Sequence, residues 1–189
     1  MRKVDAGRLR LRHRALLVLG LVLPAACGGE RGSAGTSSRR AREPRIDVVG
    51  LEGVEAALQG RRGKGVLLNF WATWCAPCVA ELPELVQVAE EFAERGGVLL
   101  GVSYDLMVPG AEAAEVPGQV RAFFARKGLD FDVLVYDAAD FDGINSRFGL
   151  PGEIPVTLAF DRRGDLVDRQ EGPGNRARFA EMMRRAVGK

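Results

Sequence analysis

The chain alternates short runs that are apolar throughout with longer stretches whose apolar residues recur every three or four positions. Ile46-Asp47-Val48-Val49 predicts a short strand, and Leu51 to Gln59 predicts a helix carrying Leu51, Val54, Ala57 and Leu58 on one face. After a turn at Gly60 to Gly65, Val66 to Trp71 is too continuously apolar for a half-exposed strand and predicts a central, parallel one. From Pro77 to Arg95 the period changes to that of a helix, with Leu82, Leu85, Val86, Ala89 and Phe92 on the apolar side and Pro83 predicting a kink. Gly96-Gly97 stops it, and Val98 to Tyr104 is a second buried strand. A strand–helix–strand unit of this kind implies a right-handed crossover and a parallel pair.

The second half is patterned more loosely. Asp105 to Gly118 holds Pro109, Gly110 and Pro117 and reads as a surface loop with room for a helical turn. Gln119 to Lys127 predicts a helix, Asp132 to Tyr136 a strand, and Ala138 to Phe148 another helix. Val156 to Phe160 and Asp165 to Gln170 flank Asp161-Arg162-Arg163-Gly164 as a hairpin. Gly172-Pro173-Gly174 breaks the chain, and Arg176 to Val187 closes it with a helix.

Charge separates this domain from what precedes it. The net charge of the 189 residues is +2, but residues 1–14 carry +5 and residues 28–45 carry +3, so residues 46–189 carry −6. An acidic domain argues against a nucleic-acid partner, which needs a basic face on the folded unit. The first residues have the layout of an export signal: Arg2 to Arg14 is basic, and Ala15 to Leu23 is an apolar core. Nine helical residues span roughly 14 Å, about half a hydrocarbon layer, which is too short for a membrane anchor. We therefore expect residues 1–26 to be a signal peptide and 27–45 a flexible Gly/Ser/Arg-rich linker, with residues 46–189 as the folded domain.

Three cysteines are present, Cys27, Cys75 and Cys78, and the one histidine is His13. Two cysteines and no histidine in the domain exclude a four-ligand zinc site and cysteine–histidine catalysis. No metal or other cofactor is expected. Cys75 and Cys78 stand two residues apart where a buried strand hands over to a helix. Unpaired N–H groups and the positive end of a helix dipole there favour thiolate over thiol. Pro77 suits a first helical turn, where its missing N–H has no partner to lose.

The string Asn69-Phe70-Trp71-Ala72-Thr73-Trp74-Cys75-Ala76-Pro77-Cys78 resembles the active site of the thioredoxin superfamily, and most of all the membrane-tethered TlpA/ResA-like thiol:disulfide oxidoreductases. The resemblance implies an α/β thioredoxin-like fold, with a central mixed sheet flanked by helices. It also implies that the helix–strand–helix segment before residue 149 is an insertion between the βαβ and ββα halves. Leu23-Pro24-Ala25-Ala26-Cys27 resembles a bacterial lipobox, although Pro24 stands where leucine is usual. Lipidation of Cys27 would attach the protein to a membrane on the extracytoplasmic side and leave an even redox pair. Ordinary cleavage near Ala26 is the alternative.

Several residues gain roles from these readings. Cys75, nearer the helix start, is expected to be the attacking thiolate and Cys78 the resolving thiol, the two cycling through a Cys75–Cys78 disulfide. Glu81 lies three residues after Cys78, which puts both on one helix face, and desolvation of a carboxyl there would fit it to move the Cys78 proton. ResA-like proteins use a glutamate at this place, and the buried aspartate of thioredoxin falls on Asn69, which does not titrate. Pro155, in Glu153-Ile154-Pro155-Val156-Thr157, resembles the cis-proline loop of the fold. Ile154 would then offer backbone to an extended substrate, with Pro155 and Pro77 walling the site and Trp74 giving an apolar contact. Val79 stands where the family usually has Arg or Lys, so Cys75 acidity must rest on the helix.

The function expected is reduction of protein disulfides by an exported protein, recharged by a transmembrane thiol donor. Apocytochrome c is one substrate that the resemblance suggests. A disulfide donor or isomerase shares every one of these motifs. A binding module holding Cu(I) between Cys75 and Cys78 is the reading from a different class.

Overall fold

The computed structural model describes residues 43–137 and 141–188. The expected signal peptide, Cys27, His13, most of the linker and Ala138 lie outside them. Among the described residues six strands form one sheet: β1 (Ile46–Val49), β2 (Gly65–Trp71), β3 (Gly97–Ser103), β4 (Asp132–Tyr136), β5 (Val156–Phe160) and β6 (Leu166–Glu171). Their spatial order is β1-β4-β3-β2-β5-β6, with β1, β4, β3 and β2 parallel, β5 antiparallel to β2, and β6 antiparallel to β5. The helices are α1 (Leu51–Gln59), α2 (Ala76–Glu91), α3 (Val116–Lys127), α4 (Phe141–Phe148) and α5 (Arg176–Val187).

Strand β2 is buried along its whole length, as its apolar run, interrupted by Asn69 alone, requires. Its side chains alternate between two helical layers. Phe70 packs toward α4, its ring centroid 5.7 Å from that of Phe148. Trp71 faces the opposite layer and meets Phe123 and Phe124 of α3 at 5.9 and 5.8 Å. Gly101 of β3 lies beneath that indole, where an added Cβ would come within 2.8 Å of Trp71 Nε1 and of Phe131. A glycine is therefore needed if so large a ring is to lie flat on the sheet. The same layer holds α2 and α5, which pack on each other and on β2.

Between β3 and β5 the chain runs through α3, β4 and α4, and β4 enters the parallel sheet between β1 and β3. Helix α3 begins at Val116, three residues before the sequence pattern suggests. Val116 is buried, and Pro117 sits in the first turn, where its missing N–H costs nothing. Helix α2 runs unbroken through Pro83, carried by the complete burial of Leu82 and Leu85 on either side. The expected stop at Gly96-Gly97 is preceded by a separate 3-10 turn, Ala93–Arg95. The stretch from Asp105 is not a surface loop at its start, because Asp105–Met107 forms a 3-10 turn with Asp105 buried. Residues 43–45 are fastened to the domain, for the Arg45 carbonyl accepts from Val133 N at 2.8 Å and Glu43 pairs with Arg121.

Candidate active site

Strand β2 ends at Trp71, and the chain turns through Ala72-Thr73-Trp74-Cys75 into α2. Cys75 N donates to Ala72 O at 3.2 Å, closing the turn. Cys75 is the N-cap of α2, and its Sγ accepts from Cys78 N at 3.3 Å. Cys75 and Cys78 are joined as a disulfide across 5.3 Å between Cα atoms. The first turn of α2 carries no acidic side chain, so the field of the helix N-terminus falls undiminished on the Cys75 sulfur. Cys75 is 6% exposed and Cys78 fully buried, which gives an incoming group access to Cys75 alone.

A second layer of polar groups holds this turn in place. Asp105, just past the end of β3, accepts from Thr73 N at 3.0 Å, from Thr73 Oγ1 at 2.5 Å and from Ser103 Oγ at 2.5 Å. Tyr104 N adds a bond to Trp71 O at 2.8 Å. Thr73, Ser103 and Asp105 have no special signal in the sequence. What identifies them is the parallel register that sets Trp71 beside Ser103.

On the side facing α2, the buried carboxyl of Glu81 lies one turn beyond Cys78. It is 3% exposed, unlike a solvated helix glutamate. Its Oε1 accepts from Asn69 Nδ2 at 3.1 Å and its Oε2 from Gly174 N at 2.8 Å. Burial pushes its pKa up from 4.5 to about 7. The two hydrogen bonds resist that rise, and the charge of Glu84 adds to it. The Gly172-Pro173-Gly174 break thus has a use that its composition did not reveal. A Cβ on Gly174 would lie 2.4 Å from the Phe179 ring, so only glycine brings that N–H down to the carboxyl.

Opposite the disulfide, the Ile154–Pro155 peptide bond is cis. Ile154 O lies 3.9 Å from Cys75 Sγ, which places the exposed side of the dithiol against the backbone before β5. Pro155 is buried, Ile154 half-buried, and Pro77 exposed at the head of α2. Trp74 is 52% exposed while Trp71 is fully buried, so the two indoles of the motif do different work. Val79 packs against the core and brings no cation to the thiol. Among the described residues no cluster of three or more His, Cys, Asp or Glu is arranged to hold a metal ion. The pocket between α1, α4 and the β5–β6 hairpin, lined by Leu58, Arg62, Phe148 and Phe160 among others, contains none of these site residues.

The fold and the CxxC pair at the head of α2 define the class: a thioredoxin-like protein. The chain belongs to the AhpC/TSA family, whose model matches residues 41–169. It is 36% identical over 125 residues to the thioredoxin-like protein YneN of Bacillus subtilis, covering 66% of each chain. It is 30% identical over 125 residues to the thiol-disulfide oxidoreductase ResA of Bacillus thuringiensis, covering 66% of this chain and 65% of that one. Both matches thus span just under two thirds of the relative's own length. Among solved structures, it resembles a thioredoxin-family thiol:disulfide interchange protein of Chlorobium tepidum with a TM-score of 0.57 and 26% identity, over 69% of this chain and 84% of that one. It also resembles the pneumococcal exposed lipoprotein thioredoxin of Streptococcus pneumoniae, with a TM-score of 0.52 and 26% identity, over 67% and 88% of the two chains.

Proposed function

We propose that this protein is an exported reductant of protein disulfides, tethered to a membrane through a lipid on Cys27. The observation that carries the exchange chemistry is the Glu81 carboxyl, buried one helical turn from Cys78 with its pKa raised to about 7. A resolving thiol sealed from water needs a local proton acceptor at the moment it attacks, and a carboxyl poised near pH 7 is well matched to that task.

The cycle begins with both thiols reduced. The Cys75 thiolate, held by the N–H groups of α2, attacks one sulfur of a substrate disulfide. The substrate S–S bond breaks, its other sulfur leaves as a thiolate that takes up a proton, and a mixed disulfide to Cys75 remains. Glu81 accepts the proton of Cys78, whose thiolate attacks Cys75 Sγ and releases the second substrate thiol. The product is the Cys75–Cys78 disulfide, and two electrons have passed to the substrate. The substrate backbone lies along Ile154, beside cis-Pro155 and Pro77, with Trp74 giving an apolar contact. A transmembrane dithiol donor restores the reduced pair, and apocytochrome c with its cysteines joined as a disulfide is one substrate class for this branch. The name of the pneumococcal neighbour, an exposed lipoprotein, supports the anchoring. No described helix is long and apolar enough to cross a membrane.

The test is the reduction potential of the Cys75/Cys78 pair, measured by equilibration with a thiol buffer. A value near or below about −250 mV, in the range of thioredoxin, supports the reductant. A value near about −120 mV makes the protein a disulfide donor instead.

A further inference from the structure

The partners of Glu81 are not alike. Gly174 N–H faces Oε2 from the backbone and has a fixed polarity, donor only. Asn69 faces Oε1 with a side-chain amide, one edge a double donor and the other an acceptor of nearly the same shape. Asn69 Nδ2 reaches two groups at once, Glu81 Oε1 at 3.1 Å and Thr157 Oγ1 at 3.0 Å. Asn69 and Thr157 are directly opposed on β2 and β5, on the same face of the sheet. Asn69 is fully buried and Thr157 is 1% exposed, so bulk water does not reach the pair. Asn69 Oδ1 is buried with no hydrogen-bond partner among the described residues. An acceptor left idle beside a group that gains and loses a proton is a costly arrangement, and it lies ready for the state in which that group becomes a donor.

The charge state of Glu81 decides which edge fits. Ionised, Glu81 needs donors, and the NH2 edge of Asn69 supplies one while Thr157 Oγ1 accepts the other hydrogen. Protonated on Oε1, Glu81 becomes a donor and would meet that NH2 edge hydrogen to hydrogen. Rotation by half a turn puts Oδ1 where Nδ2 was, within reach of both groups. It then accepts from the Glu81 hydroxyl, and the Thr157 hydroxyl, which donates as readily as it accepts, turns to match.

We propose that Asn69, backed by Thr157, is a positioning residue that satisfies Glu81 in both protonation states by turning its amide over. The inference rests on Glu81 being the proton acceptor of Cys78. The proton moves from Cys78 Sγ to Glu81, no bond between heavy atoms changes, and the amide rotates to follow the charge. The charged group that acts on Glu81 from its own helix is Glu84, and Cys78 stands one turn before it, in the disulfide here. β2 and β5 contribute the neutral Asn69 and Thr157, and the segment before α5 contributes the Gly174 amide. Arg176 at the start of α5 is paired with Glu91 and also feels Glu84.

The experiment is nuclear magnetic resonance of the full oxidised chain from pH 4 to 9, following the Glu81 carboxyl carbon and the Asn69 side-chain NH2. Above the Glu81 midpoint, the NH2 hydrogens should show cross-relaxation to Thr157 and to the Glu81 methylenes. Below it these contacts should be lost with the same midpoint. In Glu81→Gln the pattern should be independent of pH. NH2 contacts that persist unchanged while the Glu81 carbon titrates would overturn the amide rotation and leave the proton-acceptor reading standing. A Glu81 carbon that titrates at its ordinary value of 4.5 would overturn the acceptor reading itself.

Discussion

Replacing Glu81 by glutamine keeps the shape of the side chain and removes its titration, so it isolates the cost of burying this carboxylate. The folded-state pKa is about 7 against 4.5 for the free group. Between those two values the native protein holds a proton that the unfolded chain has released. Unfolding then gives up a proton, so raising the pH favours the unfolded state. The stabilising effect of the buried acid is whole below pH 4.5 and is lost as the pH rises through 7. A difference of 2.5 units corresponds to about 3 kcal/mol over that window. Urea unfolding of the oxidised wild type and of Glu81→Gln at a series of pH values from 4 to 8.5 measures it. The variant should gain on the wild type by about 3 kcal/mol between the ends of the series, and the gain should level off above pH 8. Constant separation of the two stability curves would mean that Glu81 titrates alike in both states. The buried-acid argument would then be wrong, whatever the variant does to turnover.

Three other outcomes are expected. Cys78→Ser should accumulate mixed disulfides between Cys75 and substrate, visible on non-reducing gels, and normal turnover by this variant would reverse the roles of the two cysteines. Asp105→Ala strips the acceptor from Thr73 N, Thr73 Oγ1 and Ser103 Oγ, and should cost on the order of 3 kcal/mol in denaturant unfolding. It should also slow reaction at Cys75, because the turn that carries Cys75 loses its anchor. Cys27→Ala should move the protein from the membrane fraction to the soluble one, and persistence in the membrane would point to a different anchor.

Much of the fold was legible because the central strands β2, β3, β4 and β5 are buried on both faces and the helices are not. Val66 to Trp71 and Val156 to Phe160 are apolar runs with hard boundaries, and both match β2 and β5 closely. The motif itself predicts a helix beginning next to Cys75, since proline and an N-capping sulfur suit no other element so well. Elements were misjudged where a tertiary contact overrode composition. Asp105 looks like the first residue of a polar loop, yet two hydrogen bonds from Thr73 in the turn after β2 and one from Ser103 of β3 hold it inside.

Local sequence, then, determined which segments fold into strands and helices, where the two reactive sulfurs stand, and that Glu81 shares a face with Cys78. These follow from periods of two and 3.6 residues and from capping, which act over a few positions. Tertiary structure decided that β4 enters between β1 and β3, and that Ile154 from a segment 79 residues away faces Cys75. It also brought Gly174, 93 residues from Glu81, to the carboxyl that Asn69 holds from the other side. Such contacts depend on the register of a whole sheet and on loss of water from its face, and no pattern along the chain encodes either. The raised pKa of Glu81 is the clearest case, because spacing places the carboxyl while only packing removes its solvent.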